Sequence, residues 1–201
     1  MVLGSHVIIT AYGFWLPNDP RGSWSDFVRS WELLRFGPAT KVNTHRSVAH
    51  VPHDRALRLA AKRALRYRPV KFNGRQALCI ANAFARQVRK CGFIVLACAI
   101  LPDHVHLVIL RHTYRVEQVT NLLKGAATRA LREYGMHPMR DQVRPGEELS
   151  SPWATGLWKV FLFSEGDIRR AVKYVEDNPL KEGKKKQNWK FVTSVAKARA
   201  C

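Results

Sequence analysis

The sequence predicts an α+β domain, an antiparallel sheet with helices on one face. Three observations point there. A β-branched run opens the chain at His6-Val7-Ile8-Ile9-Thr10, and two short apolar runs, 93–100 and 104–110, flank the turn tripeptide Leu101-Pro102-Asp103. Between and after these strands, apolar residues recur at helical spacing, so the elements alternate as β, α, β-β, α, β, α. A chain of 201 residues suits one domain with an added arm.

Taken in order, the first strand covers residues 6–12 and ends at Gly13, where Trp15-Leu16-Pro17-Asn18-Asp19-Pro20 sets a turn-rich loop. Residues 23–72 show no sustained period for most of their length and read as an irregular insertion. Within it, Asp54 is placed to cap a helix running to about Tyr67, stopped by Arg68-Pro69. Asn73 caps a second helix with the stripe Ala77, Ala81, Phe84 and Val88, closed by Gly92. The two apolar runs then form an antiparallel pair. A helix follows over residues 116–134, with Val116, Val119, Leu123, Ala127, Ala130 and Tyr134 inward. Residues 135–152 are loop, 157–163 a last strand, and 166–178 a helix ended by Pro179. This divides the chain into one domain over 1–180 and a basic C-terminal tail over 181–201 carrying seven Lys or Arg and one Glu.

Charge narrows the partner. Thirty-four Lys plus Arg against fifteen Asp plus Glu give +19, and residues 55–90 hold eleven basic residues and no acid. Such an excess, spread along a globular sequence, predicts a polyanion, and nucleic acid before a membrane surface. Arg58, Lys62 and Arg66 share one helical face and are candidate phosphate contacts, as are Arg21, Lys181 and Lys184. Trp15 and Trp24 are candidates for base stacking. No signal peptide or bilayer-spanning run is evident, so the expected place is the cytoplasm, in association with the nucleoid. Cys79, Cys91, Cys98 and Cys201 make no metal-binding or redox spacing and read as free thiols.

The chemistry lies in two short segments. In His104-Val105-His106 on a strand, alternation turns both imidazoles to one side while Val105 and Leu107 enter the core. Two histidines so placed can share one divalent cation. Tyr174 and Asn178 stand one turn apart on one face of the last helix. Taken singly, each is ordinary: a strand histidine, a half-buried helical tyrosine, an Asn before Pro. Together they supply what cleavage of a phosphodiester by tyrosine requires. These are a cation to polarise the phosphate, a phenol held in line, and positive charge favouring the phenolate of a group whose pKa is ordinarily about 10. An amide beside the phenol can complete the metal shell through its oxygen.

With these residues in view, Ile100-Leu101-Pro102-Asp103-His104-Val105-His106-Leu107-Val108 resembles the signature "MPNHVHLL" of the single-tyrosine HUH (IS200-like) transposases. Tyr174-Val175-Glu176-Asp177-Asn178-Pro179-Leu180-Lys181-Glu182-Gly183 is similar to the "YIxxNPVKAG" of the branch called REP-associated tyrosine transposases. The segment 11–22 resembles that branch's "TYGTWLPGDPRG" opening. Lys124 falls where relatives carry a helical lysine before the last strand, a further candidate for DNA contact. Trp158-Lys159 stands where they have Trp-Gln. The resemblance spans most of the chain outside residues 23–72.

The resemblance implies a ferredoxin-like sheet, Mg²⁺ or Mn²⁺ as cofactor, a covalent 5′-phosphotyrosine intermediate that frees a 3′ hydroxyl, and single-stranded DNA with imperfect hairpin palindromes as partner. It makes Tyr174 the nucleophile and His104, His106 and Asn178 the metal ligands; Glu176 and Asp177 stay outside that set. Monomer and homodimer are both open. Two other readings stand beside this one, a non-catalytic nucleic-acid-binding module on the same scaffold and a nuclease whose nucleophile is water.

Overall fold

A computed structural model describes residues 1–17, 19, 27–28, 30–39, 52–144 and 146–198. Arg21, Trp24 and Cys201, and much of the expected insertion, lie outside them. Four strands form one sheet: β1 (Gly4–Thr10), β2 (Val95–Ile100), β3 (His104–Leu110) and β4 (Trp158–Leu162). Their order is β2-β3-β1-β4 and every neighbouring pair is antiparallel. Four principal helices accompany them: α1 (Arg55–Arg63), α2 (Gly74–Cys91), α3 (Val116–Glu133) and α4 (Glu165–Lys181). A short turn of helix, α5, covers Val195–Ala198. The α+β class and the alternation of elements are as the sequence predicts.

Helix boundaries follow local chemistry. Asp54 accepts a hydrogen bond from the Leu57 N–H at the start of α1. Asn73 and Gln76 satisfy each other's backbone N–H groups at the start of α2, and Gly92 closes that helix at φ 69°, a conformation that costs a residue with a Cβ. Ser164 and Asp167 make the same reciprocal cap on α4.

The expectation of helices on one face needs correction, because the sheet is covered on both. α2 and α3 pack against Val7, Ile9, Val95, Cys98, Ile100, Val105, Leu107 and Ile109 to make the main core. α4 lies across the opposite face, where Ile168, Ala171 and Val175 meet Leu96, Ala97, Ala99, Val108 and Leu162. The reason is alternation itself. β2 and β3 carry apolar side chains on both faces, so neither face can be left to water. A third cluster stands apart, in which α1 and a 3₁₀ turn (Trp31–Phe36) enclose Leu16, Leu33, Phe36 and Ala61.

Three further expectations change. Tyr134 is exposed, and Leu131 takes the buried place at the end of the α3 stripe. Pro179 does not end α4, which continues to Lys181. A proline in a last turn removes only one N–H···O bond, and its carbonyl here accepts from the Glu182 and Lys184 N–H groups. Nor is the segment after residue 180 a free arm. The Gln187 side chain bonds both the N–H and the C=O of Ile100, and Thr193 N–H donates to the Val95 carbonyl. Trp189, Phe191 and Val192 pack on the main core. The tail thereby covers the outer edge of β2, an edge otherwise open to pairing with another chain. Among the described residues no helix is long and apolar enough to cross a membrane, and Cys79, Cys91 and Cys98 are free thiols.

Candidate active site

The site forms where the start of β3, the middle of β1 and the last turns of α4 meet. The turn that carries His104 is held from three sides. Leu101 N–H donates to the His104 carbonyl, Ala11 N–H to that of Asp103, and Phe72 N–H to that of Pro102. From this clamped turn β3 sends Val105, Leu107 and Ile109 into the main core and His104 and His106 to the other face, beneath α4. On α4, Ile168, Ala171 and Val175 anchor the helix at spacings of three and four. That anchoring leaves Tyr174 at the rim, 45% exposed, and turns Asn178 inward, 7% exposed. The small Ala97 and Ala99 beneath give α4 room to approach the sheet.

The groups expected together do meet. The rings of His104 and His106 lie 4.8 Å apart between centroids, and Tyr174 is 5.7 Å from His106. The Asn178 amide nitrogen is 3.0 Å from His106 Nε2. His104 Nδ1 is 2.8 Å from the Asp103 carboxylate. Lys181 Nζ sits 4.4 Å above the centre of the Tyr174 ring, a placement that exists because α4 runs through Pro179.

Sequence reasoning missed His6. It reaches the site from β1, its Nε2 3.0 Å from His106 Nδ1, with the two rings stacked at 22° and 5.3 Å. Trp158 and Tyr174 close on it edge-on, each at 5.6 Å. A histidine in a buried strand was the available signal, but its neighbours depend on a register between strands a hundred residues apart: Ile8 pairs with His106 and His6 with Val108. Burial lowers the pKa of His6 to about 4. His106 is held well below the ordinary value by burial first and then by His104, His6 and Lys181. Both imidazoles are therefore neutral near pH 7, the form that ligates metals.

The donors fit a divalent cation. Each histidine has its Nδ1 engaged, His104 by a carboxylate and His106 by His6, so Nε2 is the nitrogen that either could offer to a cation. Asn178 already addresses His106 Nε2, and its amide rotated by half a turn presents oxygen at the same place. Thr10, across the ladder from His104, has a buried hydroxyl without a hydrogen-bond partner, the kind of orphan that the water shell of an ion satisfies. No group of three or more His, Cys, Asp or Glu side chains placed for a metal occurs among the described residues. The candidate donor set is accordingly two imidazoles and one amide.

Other expected contacts fall elsewhere. Lys124 is nine-tenths buried and donates to the carbonyls of Ala154 and Gly156 (2.5 Å to Gly156). Its ammonium holds the loop before β4. Burial lowers its pKa to about 8. Arg58 and Lys62 are half-buried on α1 in the separate cluster, and Arg66 lies beyond the end of α1, 5.2 Å over the Tyr67 ring. The common face expected of those three therefore ends at Lys62. Lys184 is exposed just past α4. Lys159 pairs with Glu117 at the start of α3, and Glu176 with Lys186, so neither acid enters the site. Trp15 is half-buried beside Phe14, whose ring in turn lies 5.2 Å from His104.

Fold and site together define an antiparallel α+β domain with a histidine pair on a strand and a tyrosine on the helix that crosses it. A family model described as "Transposase IS200 like" matches residues 63–178, more than half of the chain and inclusive of His104, His106, Tyr174 and Asn178, and the protein belongs to that family. Among solved structures, one described as the REP-associated tyrosine transposase bound to a REP hairpin aligns with 95% of this chain and 76% of its own. That pair has a TM-score of 0.48 and 16% identity. A putative transposase from Deinococcus radiodurans R1 aligns with 88% of this chain and 91% of its own, with a TM-score of 0.39 and 13% identity. No curated protein matches the chain.

Proposed function

We propose that this transposase-family protein is a metal-dependent single-stranded DNA endonuclease and strand transferase of the HUH single-tyrosine type, acting beside hairpin palindromes. The observation that carries the proposal is the meeting of Tyr174 with His104, His106 and Asn178 across the α4 face of the sheet. The REP-associated character and the hairpin partner rest on the sequence resemblance of residues 11–22 and 174–183.

Tyr174 stands at the rim, where a strand lying over the site can reach it, while the imidazoles lie beneath. Its phenol oxygen attacks the scissile phosphorus, forming the O–P bond of a 5′-phosphotyrosine and breaking the bond to the 3′ oxygen. The phenolic proton passes to solvent, and the departing 3′ oxygen takes one up. Attack of a 3′ hydroxyl on the adduct reverses these bonds and restores the tyrosine. Lys181 over the ring places positive charge beside the phenol as it loses its proton. His104, His106 and Asn178 would hold Mg²⁺ or Mn²⁺, and the chemistry supplied there is polarisation of a non-bridging phosphate oxygen and offset of developing charge. Arg21, Arg58, Lys62, Arg66, Lys181 and Lys184 remain candidates for holding the backbone of the strand.

The test is incubation with labelled hairpin-containing single-stranded DNA and Mn²⁺, followed by a denaturing gel. A heat-stable protein–DNA band that vanishes in Tyr174→Phe is the expected result. Cleavage without that band, retained in Tyr174→Phe, would point to water as nucleophile. Binding without cleavage across many hairpins would identify a binding module.

A further inference from the structure

We propose that His6 is a positioning residue for metal binding, the acceptor that fixes His106 in the tautomer whose Nε2 faces the ion; this rests on the metal reading given above. An imidazole that offers Nε2 to a cation must carry its proton on Nδ1, and a metal-bound histidine ordinarily passes that proton's hydrogen bond to a carboxylate or carbonyl. The two histidines solve this differently. His104 leans on the neighbouring Asp103 carboxylate at 2.8 Å. His106 is 3% exposed, and the partner of its Nδ1 is His6 Nε2 at 3.0 Å.

Three features suit His6 to the role. It is 8% exposed, and its Nε2 lies 3.0 Å from His106 Nδ1, close enough to accept that nitrogen's proton in a hydrogen bond when its own proton is on Nδ1. It sits diagonally across the β1–β3 ladder from His106, at a distance the sheet itself sets. Its ring meets those of Trp158 and Tyr174 edge-on, each at 5.6 Å. The same side chain therefore orients a ligand and touches the nucleophile, joining both halves of the site through β1.

Two substitutions separate the hydrogen bond from the packing. His6→Phe keeps a ring against Trp158, Tyr174 and His106 and removes the acceptor. His6→Gln removes the ring and places an amide oxygen near the position of Nε2. Mn²⁺ binding to the full chain is measured by calorimetric titration, with melting in the absence of metal as a check of the fold. The expected result is a roughly 10–100-fold weaker Kd for His6→Phe, the range typical of lost outer-shell partners, with His6→Gln close to the parent. Parent-like affinity in His6→Phe overturns the proposal, and so does an equal loss in both variants, which would make packing the requirement. Should His6→Phe not fold, His6→Gln decides: parent-like affinity upholds the role, and a loss of about tenfold or more ends it. A parent that takes up no Mn²⁺ is a separate failure, removing the metal reading and this role with it.

Discussion

The two faces of one sheet are built to different ends. Against α2 and α3, β3 presents Val105, Leu107 and Ile109, all essentially inaccessible to water, in a continuous apolar core. Against α4 the same strand presents Val108 and, toward its start, His106 and His104. There the apolar packing stops part-way along the helix, at Val175, and polar contacts take over at Asn178. A strand's period of two lets adjacent residues serve opposite purposes, so stability and chemistry are separated by a single peptide unit. Substitutions on one face should cost folding, and on the other they should cost reaction.

The largest effect tests that separation directly. Leu107→Ala removes a fully buried side chain from the main core and should lower stability by ~2–5 kcal/mol, read by denaturant unfolding. Its neighbour His106→Ala should melt much closer to the parent yet lose cleavage altogether while keeping most hairpin affinity. If His106→Ala instead unfolds as readily as Leu107→Ala, the histidines are core residues and the two faces are alike. A smaller step acts through the ligand's partner. Asp103→Asn leaves a weaker acceptor for His104 Nδ1 and should reduce Mn²⁺ affinity about 10–100-fold without shifting the metal-free melt. An unchanged affinity would make the Asp103–His104 contact a feature of the turn alone.

A third experiment concerns a charge buried midway along α3, where Lys124 meets the loop before β4. The pKa of Lys124 is lowered to about 8 by burial, whereas in the unfolded chain it is about 10.4. Below the folded value both states hold the proton and the burial penalty is present in full. Between the two values the unfolded chain binds more protons, so stability gains as pH rises through that window. Lys124→Met should therefore lose this rise: from pH 7.5 to 9.5 the parent gains stability relative to the variant, measured as the difference in unfolding midpoints. A difference that does not change with pH would mean that the ammonium is not desolvated in the folded protein.

Much of this arrangement is visible in the residues. Asn73, Gly92 and Asp54 mark helix ends by their own chemistry, and His104-Val105-His106 states its own alternation. Tyr174 and Asn178 share a helical face by spacing alone. The sidedness of the helices was also implicit, since histidines turned away from the core can meet Tyr174 only if α4 covers their face. What stays hidden is whatever depends on pairing between distant strands or on where a long side chain ends. His6 needs the β1–β3 register, Lys124 needs the path of residues 154–156, and Gln187 needs the free edge of β2. In each case local sequence supplies the residue type and tertiary contact supplies its use.

The smallest effect compares the faces through the same device. Asn73 caps α2 on the core face and Ser164 caps α4 on the site face, each with a reciprocal partner three residues on. Replacing either by alanine leaves one backbone N–H without its acceptor and should cost about 1 kcal/mol of stability. The consequence for function should differ. α2 packs on the core face of the sheet, away from the face that carries His104 and His106, so Asn73→Ala should leave cleavage where it was once the protein is folded. α4 carries Tyr174 and Asn178, and its first turn is fixed by Ser164 and Asp167, so a loosened start lets the whole helix shift against β2 and β3. Ser164→Ala should therefore slow formation of the phosphotyrosine adduct at a temperature where both variants are fully folded. Equal rates in the two would mean that Ile168, Ala171 and Val175 alone hold α4 in place, with the cap contributing only to the stability of the fold.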